Sequence, residues 1–128
     1  MKKTILIVED EPKNLKLVKD LMVIFEYNTM EARTGAEAIK ILENNYKTID
    51  LVLMDIQMPV MDGLTAVQIL KENEQIKHIP IIALTALAMK DDKEKFINAG
   101  FDDYIKKPID IREFKKVVSD YLERRISI

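Results

Sequence analysis

Four places in this 128-residue chain carry side chains that could do chemistry together: Glu9-Asp10-Glu11, Asp55, Thr85 and Lys107. Each stands where an apolar run ends. If the fold brings them together, Glu9, Asp10 and Asp55 form a self-repelling cluster. Two carboxylates ~4 Å apart repel by roughly 4 kcal/mol at an effective dielectric of about 20. A fold keeps such a cluster when something compensates for it. A hard divalent cation does so, and Mg²⁺ (or Mn²⁺) suits carboxylates, water and phosphate oxygens. Lys107 supplies a second positive charge, and the Thr85 hydroxyl can donate to an anion. Carboxylates, metal, hydroxyl and lysine together suit phosphoryl transfer, where positioning and charge neutralisation supply most of the catalysis. A carboxylate can itself be the nucleophile, giving an aspartyl-phosphate.

Each residue taken alone has a plainer reading. Glu11-Pro12 can simply cap a helix. Thr85 can be an ordinary strand-end hydroxyl, and Lys107 a solvated lysine. Met58 and Met61 read as packing, and His78, the only histidine, as a loop residue. The joint pattern points to chemistry.

The elements that must position these residues are legible as apolar runs. Thr4–Val8, Ile49–Met54 and Ile79–Leu84 are short, rich in branched residues and do not alternate with polar ones. Such runs suit strands buried on both faces of a parallel sheet. Weaker strands fit Asn28–Ala32 and Asp103–Ile105. Leu15, Val18, Leu21, Met22 and Phe25 fall on one helical face, as do Phe114, Val117, Val118, Tyr121 and Leu122. Less regular helical stripes cover Ala36–Leu42, Leu64–Leu70 and Lys90–Asn98. Gly100 reads as a helix stop. Asp110 reads as an N-cap, with Glu113 in the capping-box position. Strand then helix, five times over, predicts an α/β fold with helices on both sheet faces. In such a sheet, ligands bind outside the carboxyl ends of the strands, where strand order reverses.

Composition narrows the function class. Apolar residues make up 48% and charged residues 33%, with a net charge of −2 from 20 basic and 22 acidic side chains. No basic excess points to nucleic acid. There is no cysteine, which excludes disulfides and thiolate metal sites. The short apolar run after Lys2-Lys3 meets Glu9 too soon for a signal peptide. No apolar stretch approaches the ~20 residues that span a membrane. We expect a cytoplasmic protein of one domain, residues 1–128, without an output domain.

The segments Ile7-Val8-Glu9-Asp10-Glu11-Pro12, Leu53-Met54-Asp55-Ile56-Gln57-Met58-Pro59-Val60-Met61-Asp62-Gly63, Ala83-Leu84-Thr85-Ala86 and Tyr104-Ile105-Lys106-Lys107-Pro108 resemble the receiver domains of two-component response regulators. The resemblance covers essentially the whole chain. It implies a flavodoxin-like (βα)5 three-layer sandwich with a five-stranded parallel sheet in the order 2-1-3-4-5. It implies that Asp55 is the phosphoacceptor, and that Asp10 binds the metal directly and Glu9 directly or through water. By the same resemblance, Asp55 itself and the Gln57 backbone carbonyl would complete the protein's ligands. It further implies that Thr85 bonds the phosphoryl group, that Lys107 pairs with its oxygens, and that Tyr104 reports the state of Thr85. The Lys107–Pro108 bond would be cis. Glu9 departs mildly from the family, in which Asp is also common there. Asn14, Lys16 and Ala88-Met89-Lys90 carry a closer likeness to stand-alone cell-division regulators and to receivers of hybrid histidine kinases.

The implied partners are a histidine kinase or histidine phosphotransfer protein upstream and a protein target downstream. The chain would be a monomer or weak dimer. It would catalyse its own phosphorylation and dephosphorylation without separate turnover, either as a terminal switch or as a relay intermediate. A rival reading is a metal-dependent phosphatase with an aspartate nucleophile. Such enzymes commonly need a second acid two residues on, and Gln57 stands there. A flavin module is disfavoured because Glu9-Asp10-Glu11 would repel a phosphate. The readout surface is expected on the fourth helix, fifth strand and fifth helix, with Lys90, Lys93, Lys95, Lys106, Arg112 and Lys115 on or near it.

Overall fold

The computed structural model describes residues 2–56, 63–86 and 90–126, without the side chains of 90–92 and 124–126. Ten elements alternate: β1 (Thr4–Val8), α1 (Pro12–Ile24), β2 (Asn28–Ala32), α2 (Gly35–Asn45), β3 (Leu51–Asp55), α3 (Gly63–Glu72), β4 (Ile81–Thr85), α4 (Lys90–Ala99), β5 (Asp103–Lys106) and α5 (Ile111–Ile126). The strands pair in parallel in the order β2-β1-β3-β4-β5. This is the α/β arrangement that the alternation of strand and helix predicts, in the strand order that the family resemblance implies.

The three strong apolar runs are the three inner strands, and every residue in them is buried. Alternation along each strand feeds two cores. Leu6, Val8, Val52, Met54, Ile81 and Ala83 pack against α2, α3 and α4. Ile5, Ile7, Leu51, Leu53, Ile82 and Leu84 pack against α1 and α5. The weak strands β2 and β5 are the sheet edges and are only partly covered. Less burial means fewer apolar residues, and hence a weaker signal in sequence.

Boundaries shift for local reasons. Ile49 is buried but precedes β3, because the Asp50 carboxylate accepts from the Thr4 N–H (2.9 Å) before the ladder starts. Pro80 has no N–H to give, so β4 starts at Ile81, while the Pro80 carbonyl still accepts from Val52 N (2.9 Å). The strand β5 runs one residue further than expected, to Lys106.

The caps follow the predicted chemistry. Glu11 caps α1 by accepting from Asn14 N, and Pro12 opens the helix. Asp110 Oδ1 accepts from the N–H groups of Arg112 and Glu113 at the start of α5. Gly100 ends α4 at φ 121°, a region that suits glycine. The end of α1 has no such signal, and Glu26 takes φ 66° there.

Gly63 fixes how close α3 can start to the end of β3. Its N–H donates to Ile56 O at 3.2 Å, closing the neck between the two elements. A Cβ at this position would lie 2.7 Å from Ile56 Cα and 3.0 Å from Asp55 O. Only glycine allows so near an approach. Gly63→Ala should therefore lower unfolding stability by about 1–3 kcal/mol, checked by urea denaturation. A variant as stable as the parent would show that this neck tolerates widening.

Candidate functional site

Three strand ends build the site. Val8 pairs with Met54 in register, so Glu9, just past β1, stands beside Asp55, the last residue of β3. Lys107 follows β5, and its chain reaches across the end of β4. Strand alternation puts Asp55 on the α1 and α5 side with Leu51 and Leu53, and Glu9 continues the series of Ile5 and Ile7.

The carboxylates of Glu9, Asp10 and Asp55 each offer an oxygen within 4.8 Å of the others. Glu9 is fully buried and Asp55 is 5% exposed, whereas Asp10 is half-buried. Lys107 Nζ donates to Asp55 Oδ2 at 3.2 Å and to Glu9 Oε1 at 3.4 Å. The Glu11 N–H donates to Glu9 Oε2 at 3.3 Å. Glu9 is thus braced at both oxygens, by a lysine and by the turn that enters α1.

Burial is the largest influence on Glu9 and raises its carboxyl to about 7. A hydrogen bond with Asp55 and the charge of Asp55 push the same way, while the Glu11 N–H and Lys107 pull against them. Among the described residues the three carboxylates have one ammonium, Lys107, which bonds two of them, so the cluster is short of positive charge. All its donors are hard oxygens, which suits a hard divalent cation.

The remaining expected residues fall in three groups. Thr85 ends β4 and is buried, and its carbonyl accepts from Lys107 N (2.8 Å). By alternation it shares the α3 and α4 face with Ile81 and Ala83. Tyr104 lies apart from the carboxylates, half-buried on that same face. The Lys107–Pro108 bond is cis. Gln57, with Met58 and Met61, lies outside the described residues, as do Ala88 and Met89. The sequence reading missed that Glu9, not Asp10, is the buried and most perturbed acid. The signal was there, because Glu9 continues the alternation of Ile5 and Ile7. The capping by Glu11 was anticipated, but not that its N–H also braces Glu9.

The model of the response regulator receiver domain family matches residues 5–119. A polar-differentiation response regulator, DivK of Brucella ovis, is 42% identical over 95% of this chain and 98% of its own length. The receiver domain of a Pseudomonas aeruginosa sensor histidine kinase, with a magnesium ion coordinated in its active-site cleft, superposes with a TM-score of 0.88. Its identity is 31%, covering 96% of this chain and 99% of that one. The signal receiver domain of a histidine kinase from Syntrophus aciditrophicus gives a TM-score of 0.86 at 33% identity, covering 94% and 90%.

The buried Glu9 predicts an unusual dependence on pH without metal. Its ordinary value is 4.5, and its folded value is about 7. Below 4.5 both states hold the proton, and Glu9 costs nothing. Between these values the folded state keeps a proton that the unfolded chain releases. Stability therefore falls as pH rises through this window and levels off above it. The fall should be on the order of 3 kcal/mol at most. Chemical denaturation in EDTA across pH 4–8, comparing the parent with Glu9→Gln, isolates the contribution. Parallel curves for the two proteins would rule it out.

Proposed function

The chain belongs to the response regulator receiver family, and from that premise we propose that Asp55 is its phosphoacceptor. The carrying observation is the place of Asp55: a buried carboxylate at the end of an inner strand, 3.2 Å from the Lys107 ammonium. An Asp55 carboxylate oxygen attacks the phosphorus of a phosphohistidine. A P–O bond forms, the P–N bond breaks, and the imidazole of the donor leaves with the electron pair. Lys107 is already held against Asp55 and neutralises the phosphoryl oxygens as they arrive. Glu9, Asp10 and Asp55 would hold Mg²⁺ or Mn²⁺, with the Gln57 backbone carbonyl as the further ligand that the family resemblance implies. When bound, the ion neutralises charge that builds on the transferring group.

Receiver domains act as phosphoacceptors and switches. For this chain we assign a histidine kinase or phosphotransfer protein as donor, a protein as downstream target, and no separate substrate turnover. Leu17, half-exposed, borders a cavity of about 170 Å³ that Glu9, Val18, Lys107 and Pro108 also line. A donor can thus rest on apolar surface beside the acidic site. No described helix is long and apolar enough to cross a membrane, in keeping with a cytoplasmic setting.

The switch would run through Thr85 and Tyr104. A phosphoryl group on Asp55 brings strong acceptors near the end of β4. The Thr85 hydroxyl turns to donate to them and vacates space on its face of the sheet. Tyr104 lies one diagonal step away, since it pairs with Ala83. Its ring turns inward to fill the space, which changes the surface of α4, β5 and α5.

Two experiments check this reading. Acetyl phosphate with Mg²⁺ should add one phosphoryl group to the parent and none to Asp55→Asn, by intact mass. Full labelling of that variant would place the acceptor elsewhere. Excess Mg²⁺ should also stabilise the fold against EDTA, by about 2.7 kcal/mol at a hundredfold excess over Kd. Asp10→Asn should shrink that gain and raise stability without metal. Superimposable melts with and without Mg²⁺ would remove the metal from the site.

A further inference from the structure

Tyr104 is held from one side by α4. Its ring centroid lies 6.3 Å from that of Phe96, and Lys93 Nζ lies 5.8 Å from the Tyr104 centroid. Lys93 and Phe96 are three residues apart on the helix and so share a face. The two holders differ in freedom. Phe96 is 2% exposed and packs edge-on against Phe101, 6.3 Å away. It is part of the core and cannot leave. Lys93 is exposed, and among the described residues no carboxylate forms a salt bridge with it. On the other side, the strand neighbour of Tyr104 is Ala83, which has nothing beyond Cβ to crowd the ring. The ring thus meets only a small side chain at its strand neighbour, and carries the Lys93 ammonium on its helix side.

We propose that Lys93 is a restraint on the switch: its ammonium over the ring holds Tyr104 in the half-buried position until Asp55 is phosphorylated. This rests on the reading that Tyr104 turns inward when Thr85 moves. An inward turn takes the ring out from under the ammonium. The contact exists in one state and not in the other, and only such differential contacts bias an equilibrium. A cation–π contact at an exposed site shifts that equilibrium about two- to fivefold. By linkage, its loss should tighten binding of a phosphoryl mimic by up to the same factor. Lys93 is exposed and belongs neither to the acidic cluster nor to either core, so the phosphorylation chemistry itself is left intact. The restraint would set how far the unphosphorylated protein leaks into the active state.

The test uses the full chain labelled with 3-fluorotyrosine and followed by fluorine NMR, with Tyr104→Phe to assign the Tyr104 signal. Beryllofluoride with Mg²⁺ serves as the phosphoryl mimic. In Lys93→Gln, the Tyr104 signal should already lie part of the way towards its mimic-bound position. The mimic concentration at half-saturation should fall about two- to fivefold. Lys93→Arg keeps the cation and should match the parent. Tyr27, Tyr46 and Tyr121 report general loosening, which would move them too. The proposal is overturned if Lys93→Gln matches the parent in both readouts, if Arg and Gln shift alike, or if all four signals move together. If the mimic binds the parent but leaves Tyr104 unmoved, the inward turn itself is wrong and the restraint falls with it.

Discussion

The buried pair of carboxylates, Glu9 and Asp55, with a single lysine between them, is the constraint that the rest of the structure serves. Nothing in a folding chain favours this arrangement locally. Two acids are taken out of water, set side by side and given one shared ammonium at 3.2 and 3.4 Å. The rise in the Glu9 carboxyl is the direct sign of the cost. What holds them is the sheet. The strands β1 and β3 are buried at every position and locked in register, so their ends cannot splay apart to relieve repulsion. The opposite end of the sheet shows the contrast. There Lys71 Nζ donates to Asp102 Oδ2 (2.9 Å) and to the carbonyls of Lys77 and Ile79, while Asp102 also accepts from Ile81 N. Charge at that end is balanced and serves to staple α3 to the start of β5. Charge at the carboxyl end is left unbalanced, which on the proposed reading readies the cluster for a cation and an incoming phosphoryl group.

Alternation along the strands separates the chemistry from its consequence. Glu9 and Asp55 continue the series that faces α1 and α5. Thr85 and Tyr104 belong to the series that faces α3 and α4. The two sets meet only at the strand ends, where Lys107 touches both: its side chain binds Asp55, and its N–H donates to Thr85 O. A change at Asp55 therefore has a short covalent and hydrogen-bonded route to the other face without disturbing either core. The core on the α4 side is thin where it matters. Among the α4 residues with described side chains, Phe96 alone is buried, and it ties that helix to the core.

How much of this was legible beforehand depends on burial. The inner strands announce themselves because both faces need apolar residues. The edge strands β2 and β5 face water in part, and their sequences are correspondingly mixed. Helix ends marked by a residue with one job, such as the Asp110 carboxylate or the backbone freedom of Gly100, were readable. The end of α1 was not, because Glu26 adopts a left-handed conformation that its residue type does not advertise. The candidate site was readable as a set of residue types at strand ends, since carboxylates that converge imply a cation. Its internal ranking was not. Which acid is buried depends on strand parity and on the Glu11 turn folding back on Glu9, and both emerge only once register is fixed.

Gly63 and Lys93 show the same limit from two sides. Gly63 is needed for the absence of an atom, since a methyl group there would press on the backbone at Asp55 and Ile56. Lys93 acts through a ring that is 11 residues away in sequence and on another element. Neither belongs to the acidic cluster, yet one fixes where the end of β3 stands and the other rests on the ring beside Thr85. A receiver therefore depends on two kinds of residue. The acids and the lysine set what can be transferred, and they are recognisable by chemistry. The residues that set how firmly each state is held act through packing and single contacts, as Gly63 and Lys93 do. It is in the second kind that one receiver of this fold can differ from another in resting activity.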